Sequence, residues 1–285
     1  MSAIFILARM TFVQAIRRRI VLTGLLLGLC FLAVFTVGFH MINTSSVAAI
    51  TGTATNTGIQ NIIDAERSSG LFLAGLYAVT FLGIAMAALL GADTMAGEIN
   101  SGTIQVIVTK PIRRSDVVFG KWLGFAGLLG LYLLLMVGGV VLSILLQSGY
   151  TAPHLIAGVI LIYLESLLVM TVAMLFSSQF SALATGGVVF GLYGLSFIGG
   201  WIEQIGAVLN SPTAVQVGIL TSLIIPSESL WRRAAYEMQS PLSGLIGISP
   251  FGATSVPSLL MVAYALVYLV AVLALTVRVF RKRDL

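Results

Sequence analysis

The stretch Asp93-Thr-Met-Ala-Gly-Glu98-Ile-Asn-Ser-Gly102-Thr103-Ile-Gln-Val-Ile-Val-Thr-Lys110-Pro111-Ile-Arg113-Arg114-Ser-Asp116-Val-Val-Phe-Gly120-Lys121-Trp-Leu-Gly124 decides how this chain is read. It is polar, and seven of its residues are charged. On either side lie long apolar runs, Gly70 to Ala92 before it and Trp122 to Leu146 after it. Each is long enough to cross a hydrocarbon layer of about 30 Å as a helix of about 20 residues. A charged segment between two such runs belongs in water, where it meets something.

Composition generalises the point. Hydrophobic residues make up 58% of the 285 residues and charged ones 9%, with a mean hydropathy of +1.06. A soluble domain carries about 25% charged residues, so this chain lacks the side chains to cover a surface in water. It reads as an integral membrane protein. The lone Cys30 sits inside an apolar run, which excludes an intrachain disulfide and predicts a buried structural thiol.

Outward from the central stretch, the pattern predicts an all-α polytopic protein with six transmembrane helices, at about 20–41, 70–92, 122–146, 154–176, 182–202 and 257–277. They form a single membrane domain over 1–285. Residues 2–19, mixed apolar with Arg17-Arg18-Arg19, predict an N-terminal interfacial helix. Asn43 to Ser69 reads as a polar outside loop. Twelve of the fifteen Lys and Arg residues fall before the first span, in the central stretch or at the C-terminus. The positive-inside rule then places both termini and the central stretch in the cytoplasm. These clusters abut spans, so anionic lipid headgroups suffice as their partner and nucleic acid is not needed.

Between spans five and six, Ser211-Pro212 supplies a helix start, and Thr213 to Ile225 is apolar but too short to cross. Pro226 stops it, and Ser227 is positioned to cap a second helix. In that helix Leu230, Trp231, Ala234, Ala235 and Met238 share one face. The expectation is a re-entrant or interfacial pair, the second helix amphipathic, with Trp231 as anchor and Arg232 and Arg233 reaching headgroups. The Gly24/Gly28 and Gly187/Gly191 pairs allow close helix approach, within the chain or between copies.

Sites for chemistry are few. The sequence has no phosphate-binding loop and no Cys/His cluster with metal spacing, so no metal or cofactor is assigned to the chain. Glu165 is the only charge in the middle of a predicted span. Insertion of such a group costs on the order of 2.5–3.5 kcal/mol, so it must face protein or water or be protonated. A bond through Tyr163 or Ser166 of its own span is the plainer reading. A polar point on a transport path is the sharper one.

Glu98-x-x-Ser-Gly102-Thr103-Ile, then Lys110-Pro111-Ile-Arg113-Arg114-Ser, then Gly120-Lys121 carry a resemblance. The chain resembles permease subunits of type 2 ATP-binding-cassette (ABC-2) exporters, in the branch that includes the nitrous-oxide-reductase maturation permease. Ile225-Pro-Ser-Glu-Ser-Leu-Trp-Arg-Arg-Ala is similar to their segment between the last two spans. The resemblance implies a homodimer in the cell membrane, each subunit resting on a separate ATPase that holds ATP and Mg. It implies cytoplasmic coupling helices between spans two and three, with Glu98, Gly102, Thr103, Pro111, Arg113, Arg114 and Lys121 near the ATPase. It also implies that Gly24, Gly28, Gly187 and Gly191 lie near the dimer axis. An ion-coupled secondary transporter using Glu165 is the alternative.

Overall fold

The computed structural model describes residues 3–50, 57–100, 113–240 and 255–282, without the side chains of 45–50, 57–61 and 95–100. The described residues are almost wholly helical. In chain order the helices are α1 (Ala3–Ile16), α2 (Arg19–Ile50), α3 (Thr57–Asn100), α4 (Arg114–Ser148), α5 (Leu155–Ser177), α6 (Ala182–Val208), α7 (Pro212–Ile224), α8 (Ser227–Met238) and α9 (Leu259–Lys282). Six of them, α2 to α6 and α9, are long and apolar enough to cross a membrane. In hydrocarbon the backbone has no water to bond, so an apolar run of this length closes its hydrogen bonds within itself.

The helices overrun the predicted spans at several ends. Part of the expected Asn43–Ser69 loop is helical, in the last turns of α2 and the first turns of α3. The fifth span continues to Val208, so Glu203 lies inside α6 and not in the loop beyond it. Hydropathy marks where a helix is apolar, whereas the backbone ladder runs on until Gly, Pro or a cap ends it. Cys30 is exposed on α2, contrary to the expected buried thiol; α2 packs inward along its glycine face and leaves Cys30 outside.

The core is built by α3, α4 and α5. Leu73, Leu76, Val79 and Ile84 of α3 lock against Leu129, Met136 and Val140 of α4 and Ile162, Leu168 and Met170 of α5, all buried. At Gly91 the crossing of α3 and α5 is so close that a Cβ would lie 2.4 Å from that of Ala173. The exposed surfaces of α2, α6 and α9 are apolar, as expected of faces meeting lipid or another chain.

One end of the bundle is polar and basic. The Arg18 guanidinium forms an ion pair with Asp93 at the end of α3 and stacks 6.0 Å from the Phe125 ring centroid. Lys121 is buried, with Nζ 3.4 Å from the Thr94 carbonyl oxygen, and Arg114 donates to the Arg281 carbonyl at 3.2 Å. Helix α1 packs lengthwise on the first third of α4. A Cβ at Gly120 would sit 2.6 Å from that of Leu7, and one at Gly124 2.7 Å from the Ala8 carbonyl oxygen.

At the opposite end α7 and α8 turn back on themselves, bent by 110° at Ile225–Pro226. Helix α7 returns antiparallel to α6 through glycines: a Cβ at Gly218 would lie 2.3 Å from the Glu203 Cβ and 2.7 Å from the Gly199 carbonyl oxygen. Helix α8 packs on α5, with Met238 filling the space over Gly158 near the start of α5. His154 and Glu237 pair at 3.5 Å at the same level. Both ends of the hairpin therefore lie at the end opposite the basic one, and its tip reaches the middle of α6.

Because the α6–α7 approach is limited by backbone atoms, Gly218→Ala is expected to destabilise by about 1–3 kcal/mol through overpacking. Gly38→Ala, where nothing lies within 4 Å, is expected to be neutral. Thermal melts of the two variants in detergent check this.

Candidate functional site

The inner face of α6 carries Val189, Tyr193, Ser196, Gly200 and Glu203, spaced to lie on one side of a helix, and all are buried. The tip of the hairpin rests on this face. A break between two helices frees backbone groups that no water reaches, and Ser196 answers for two of them. Its hydroxyl donates to the Ile225 carbonyl at 2.9 Å and accepts from the Ser227 hydroxyl at 3.2 Å and the Glu228 N–H at 3.4 Å. That is the full capacity of one hydroxyl, one donor and two acceptor sites. Ser227 does not cap α8, as the sequence suggested; Pro226 occupies the cap position and Ser227 bonds across to α6. Likewise Ser211 starts α7 without a side-chain cap.

One turn beyond Gly200, Glu203 meets Arg232. Nη2 donates to Oε2 at 2.8 Å, and Nη1 lies 2.7 Å from Oε1. Ser255 donates to Oε1 at 2.7 Å, tying in the segment before α9. Both charged side chains are almost inaccessible, at 2% and 6% exposure. This corrects two expectations for α8. Arg232 does not reach headgroups, and Trp231 does not anchor an interface. Trp231 is buried with its ring 4.9 Å from that of Tyr77 on α3. The sequence showed an amphipathic helix, but what meets Arg232 on its polar face is α6 and its glutamate, a partner supplied only by the fold. Arg233 is half-buried, paired with Glu237 at 2.6 Å and lying over Tyr236.

Glu165 is fully buried, and neither carboxyl oxygen has a hydrogen-bond partner among the described residues. The expected bonds within its own span are absent. Tyr163 donates to the Ala126 carbonyl of α4 at 2.9 Å, and the Ser166 hydroxyl is itself unpartnered among the described residues. Glu165 instead lies within electrostatic range of Glu228, the first-turn acid of α8. Glu228 is 1% exposed, its Cγ fills the space left by Gly200, and its Oε2 is unpartnered among the described residues. Tyr193 of α6 lies within range of both acids and of Tyr77. Two carboxyls and two phenols from α3, α5, α6 and α8 thus converge at mid-span. Sequence reasoning found Glu165 and missed Glu228, whose signals were its place two residues after Pro226 and four before Arg232.

The remaining predicted residues divide between the basic end and the glycine faces. Arg113 precedes α4 and is exposed, while Arg114 and Lys121 take part in the packing described above. The side chain of Glu98, residues Gly102, Thr103 and Pro111, and the predicted coupling helices lie outside the described residues. Gly24 and Gly28 pack inside the chain, against Met86 and against Met136 and Tyr132. Gly187 and Gly191 face open space, with nothing within 4 Å. Among the described residues no group of three or more His, Cys, Asp or Glu is placed to hold a metal ion.

A family model described as ABC-2 family transporter protein matches residues 5–285, nearly the whole chain. The chain belongs to that family. It is a membrane permease component of an ABC transporter, with the multi-pass helical architecture described above. No curated protein matches it.

In this permease the buried Glu203–Arg232 pair is the polar joint between hairpin and bundle. Removing one partner of a buried pair strands the other, at a cost of about 3–5 kcal/mol. Arg232→Met is therefore expected to lower the melting temperature sharply. Adding Glu203→Leu to that variant is expected to restore most of the loss. A thermal-melt double-mutant cycle measures both.

Proposed function

We propose that this permease forms the membrane pathway of an ATP-driven exporter, as a homodimer in the cell membrane with its basic end in the cytoplasm and a separate ABC ATPase bound there. ATP and Mg would reside in that ATPase. The observation that carries the reading is the joint at the basic end. Residues 101–113 connect α3 to α4, and both flanks of that segment are held to the α1–α2 elbow. Asp93 is paired with Arg18, Lys121 lies against Thr94, and α1 is seated on Gly120 and Gly124. A push on the segment from a partner would therefore pass into α2, α3 and α4 together.

The charge distribution supports the orientation, since the basic clusters gather at that end and positive residues are retained in the cytoplasm. The described part leaves the outer face of α6, with Gly187 and Gly191, open for a second copy. Gly24 and Gly28 would then serve that dimer indirectly, by seating α2. Family membership favours the ABC class over an ion-coupled carrier. Within the family, the central stretch resembles the branch that includes the nitrous-oxide-reductase maturation permease.

Native mass spectrometry of gently solubilised complexes is expected to show two permeases with two ATPase subunits. A monomer active in transport by itself would contradict the proposal. In the assembled complex, Glu98→Lys is expected to leave insertion and dimerisation intact while cutting substrate-stimulated ATP hydrolysis. Arg18→Ala, which frees the elbow from Asp93, is expected to reduce the same coupling. Wild-type stimulation in both variants would remove the coupling role.

A further inference from the structure

The mid-span junction gathers two buried carboxyl groups, Glu165 and Glu228, within electrostatic range of each other. Among the described residues Arg232 is the one cation that acts on Glu228, and it is already paired with Glu203, which Ser255 also holds. The amino end of α8 favours an acid in its first turn, which helps Glu228 but does nothing for Glu165. An ionised carboxylate in a dry interior is strongly unfavourable unless paired, and proteins usually pair such groups or use them. Glu165 has no hydrogen bond to either oxygen among the described residues and is fully buried.

Aromatic rings flank the same point. Tyr77 and Tyr193 lie within range of both acids, Trp231 packs on Tyr77, and Phe197 sits 6.4 Å from each of the two tyrosines. Carboxylates beside aromatic faces are the arrangement that receives bulky, weakly hydrated cations, whose charge is attracted to the ring face. Small divalent ions need more oxygen ligands than two carboxyls and their neighbours supply.

We propose that Glu165 and Glu228, walled by Tyr77 and Tyr193, form the recognition site for the positive group of the transported molecule, an amphiphilic organic cation of the ammonium or phosphonium type. The proposal rests on the reading of the chain as an exporter's permease. It also fits the way the helices are joined. Helices α6 and α7 are clasped backbone to backbone, whereas α8 packs chiefly on α5 and meets α6 through Ser196, Gly200 and the Glu203–Arg232 pair. The acids lie where these two units meet, and parting the units opens the junction. In this structure it is closed, with Gly200 directly over the Glu228 side chain. The outer face of α6 is the open glycine face, so one helix separates the acids from the surface where a second copy would sit.

The test uses the full-length chain in lipid nanodiscs with radiolabelled tetraphenylphosphonium as probe and tetraphenylsilane as its neutral counterpart. Saturable binding of the cation that the neutral compound does not displace is expected. Glu165→Gln and Glu228→Gln, which keep shape and remove charge, are each expected to weaken it roughly tenfold or more. Asp64→Asn, at the far end of α3, is expected to leave it unchanged. Gly200→Ala, which pushes on Glu228 and removes no charge, is expected to weaken it. No saturable binding, equal displacement by the neutral compound, or full binding in both Gln variants would each overturn the site. The cation–neutral comparison on the unmodified chain decides the matter even if a Gln variant does not fold. An infrared band of a protonated carboxyl that Glu165→Gln removes, without cation binding, would make the pair a proton site only and also overturn it. Cation binding by a chain that recruits no ATPase would fail the exporter reading and leave the site standing. ATPase recruitment without cation binding would do the reverse.

Discussion

A chain that turns back inside a membrane must give every backbone group at the turn a partner, because hydrocarbon offers none. In this permease that constraint falls on Ile225–Ser227, where the Ser196 hydroxyl serves the Ile225 carbonyl and the Glu228 N–H and Tyr264 donates to the Leu223 carbonyl. Much else follows from holding the tip there. Gly199, Gly206 and Gly218 bring α7 against α6, Gly200 makes room for Glu228, and Glu203 receives Arg232 one turn away. The hairpin thereby brings an acid and a cation into the middle of the bundle, each beside a residue of α6 that accommodates it. Glu228 arrives within electrostatic range of Glu165, so two buried carboxyls share the mid-span.

The second organising feature is the basic end. There the polar contacts span long sequence separations: Arg18 to Asp93, Lys121 to Thr94, Arg114 to the carbonyl of Arg281. They join the elbow, the ends of α3 and α9 and the start of α4. The surface partners in this set are weak individually, since exposed ion pairs contribute about 0–1 kcal/mol. Their value is geometric, because they tie the two flanks of residues 101–113 to the elbow and to each other.

The spans were legible in the sequence because a helix in hydrocarbon needs a long uncharged run, and that need is written in composition alone. The hairpin was legible as two short helices around Pro226, since proline ends one and starts the next. What covers a helix is a tertiary fact. The polar face of α8 read as a surface face, and the segment from Glu203 onward read as a loop, because hydropathy places every charge in water. The structure instead pairs two of those charges with each other, Glu203 with Arg232. Gly199-Gly200 beside Glu203, and Glu228 four residues before Arg232, were the available signals. Glycines in an apolar helix next to an acid mark where another element comes close. Glu165 stood out for the opposite reason, as one charge in a span with nothing near it in sequence, but its neighbour Glu228 is brought there only by the turn.

The central claim is that the α7–α8 hairpin dips into the membrane and returns on the same side, with its tip at mid-span. Spin labels placed one at a time at Leu209, Val217, Leu220, Ile224 and Tyr236, all exposed, in a Cys30→Ser background, measure it directly. Accessibility to a water-soluble nickel relaxant and to oxygen in nanodiscs gives the depth of each. Depth is expected to increase steadily from Leu209 to Ile224 and to be shallow again at Tyr236. Uniformly shallow labels along both helices would mean that the pair lies flat on the membrane surface, and would contradict the account.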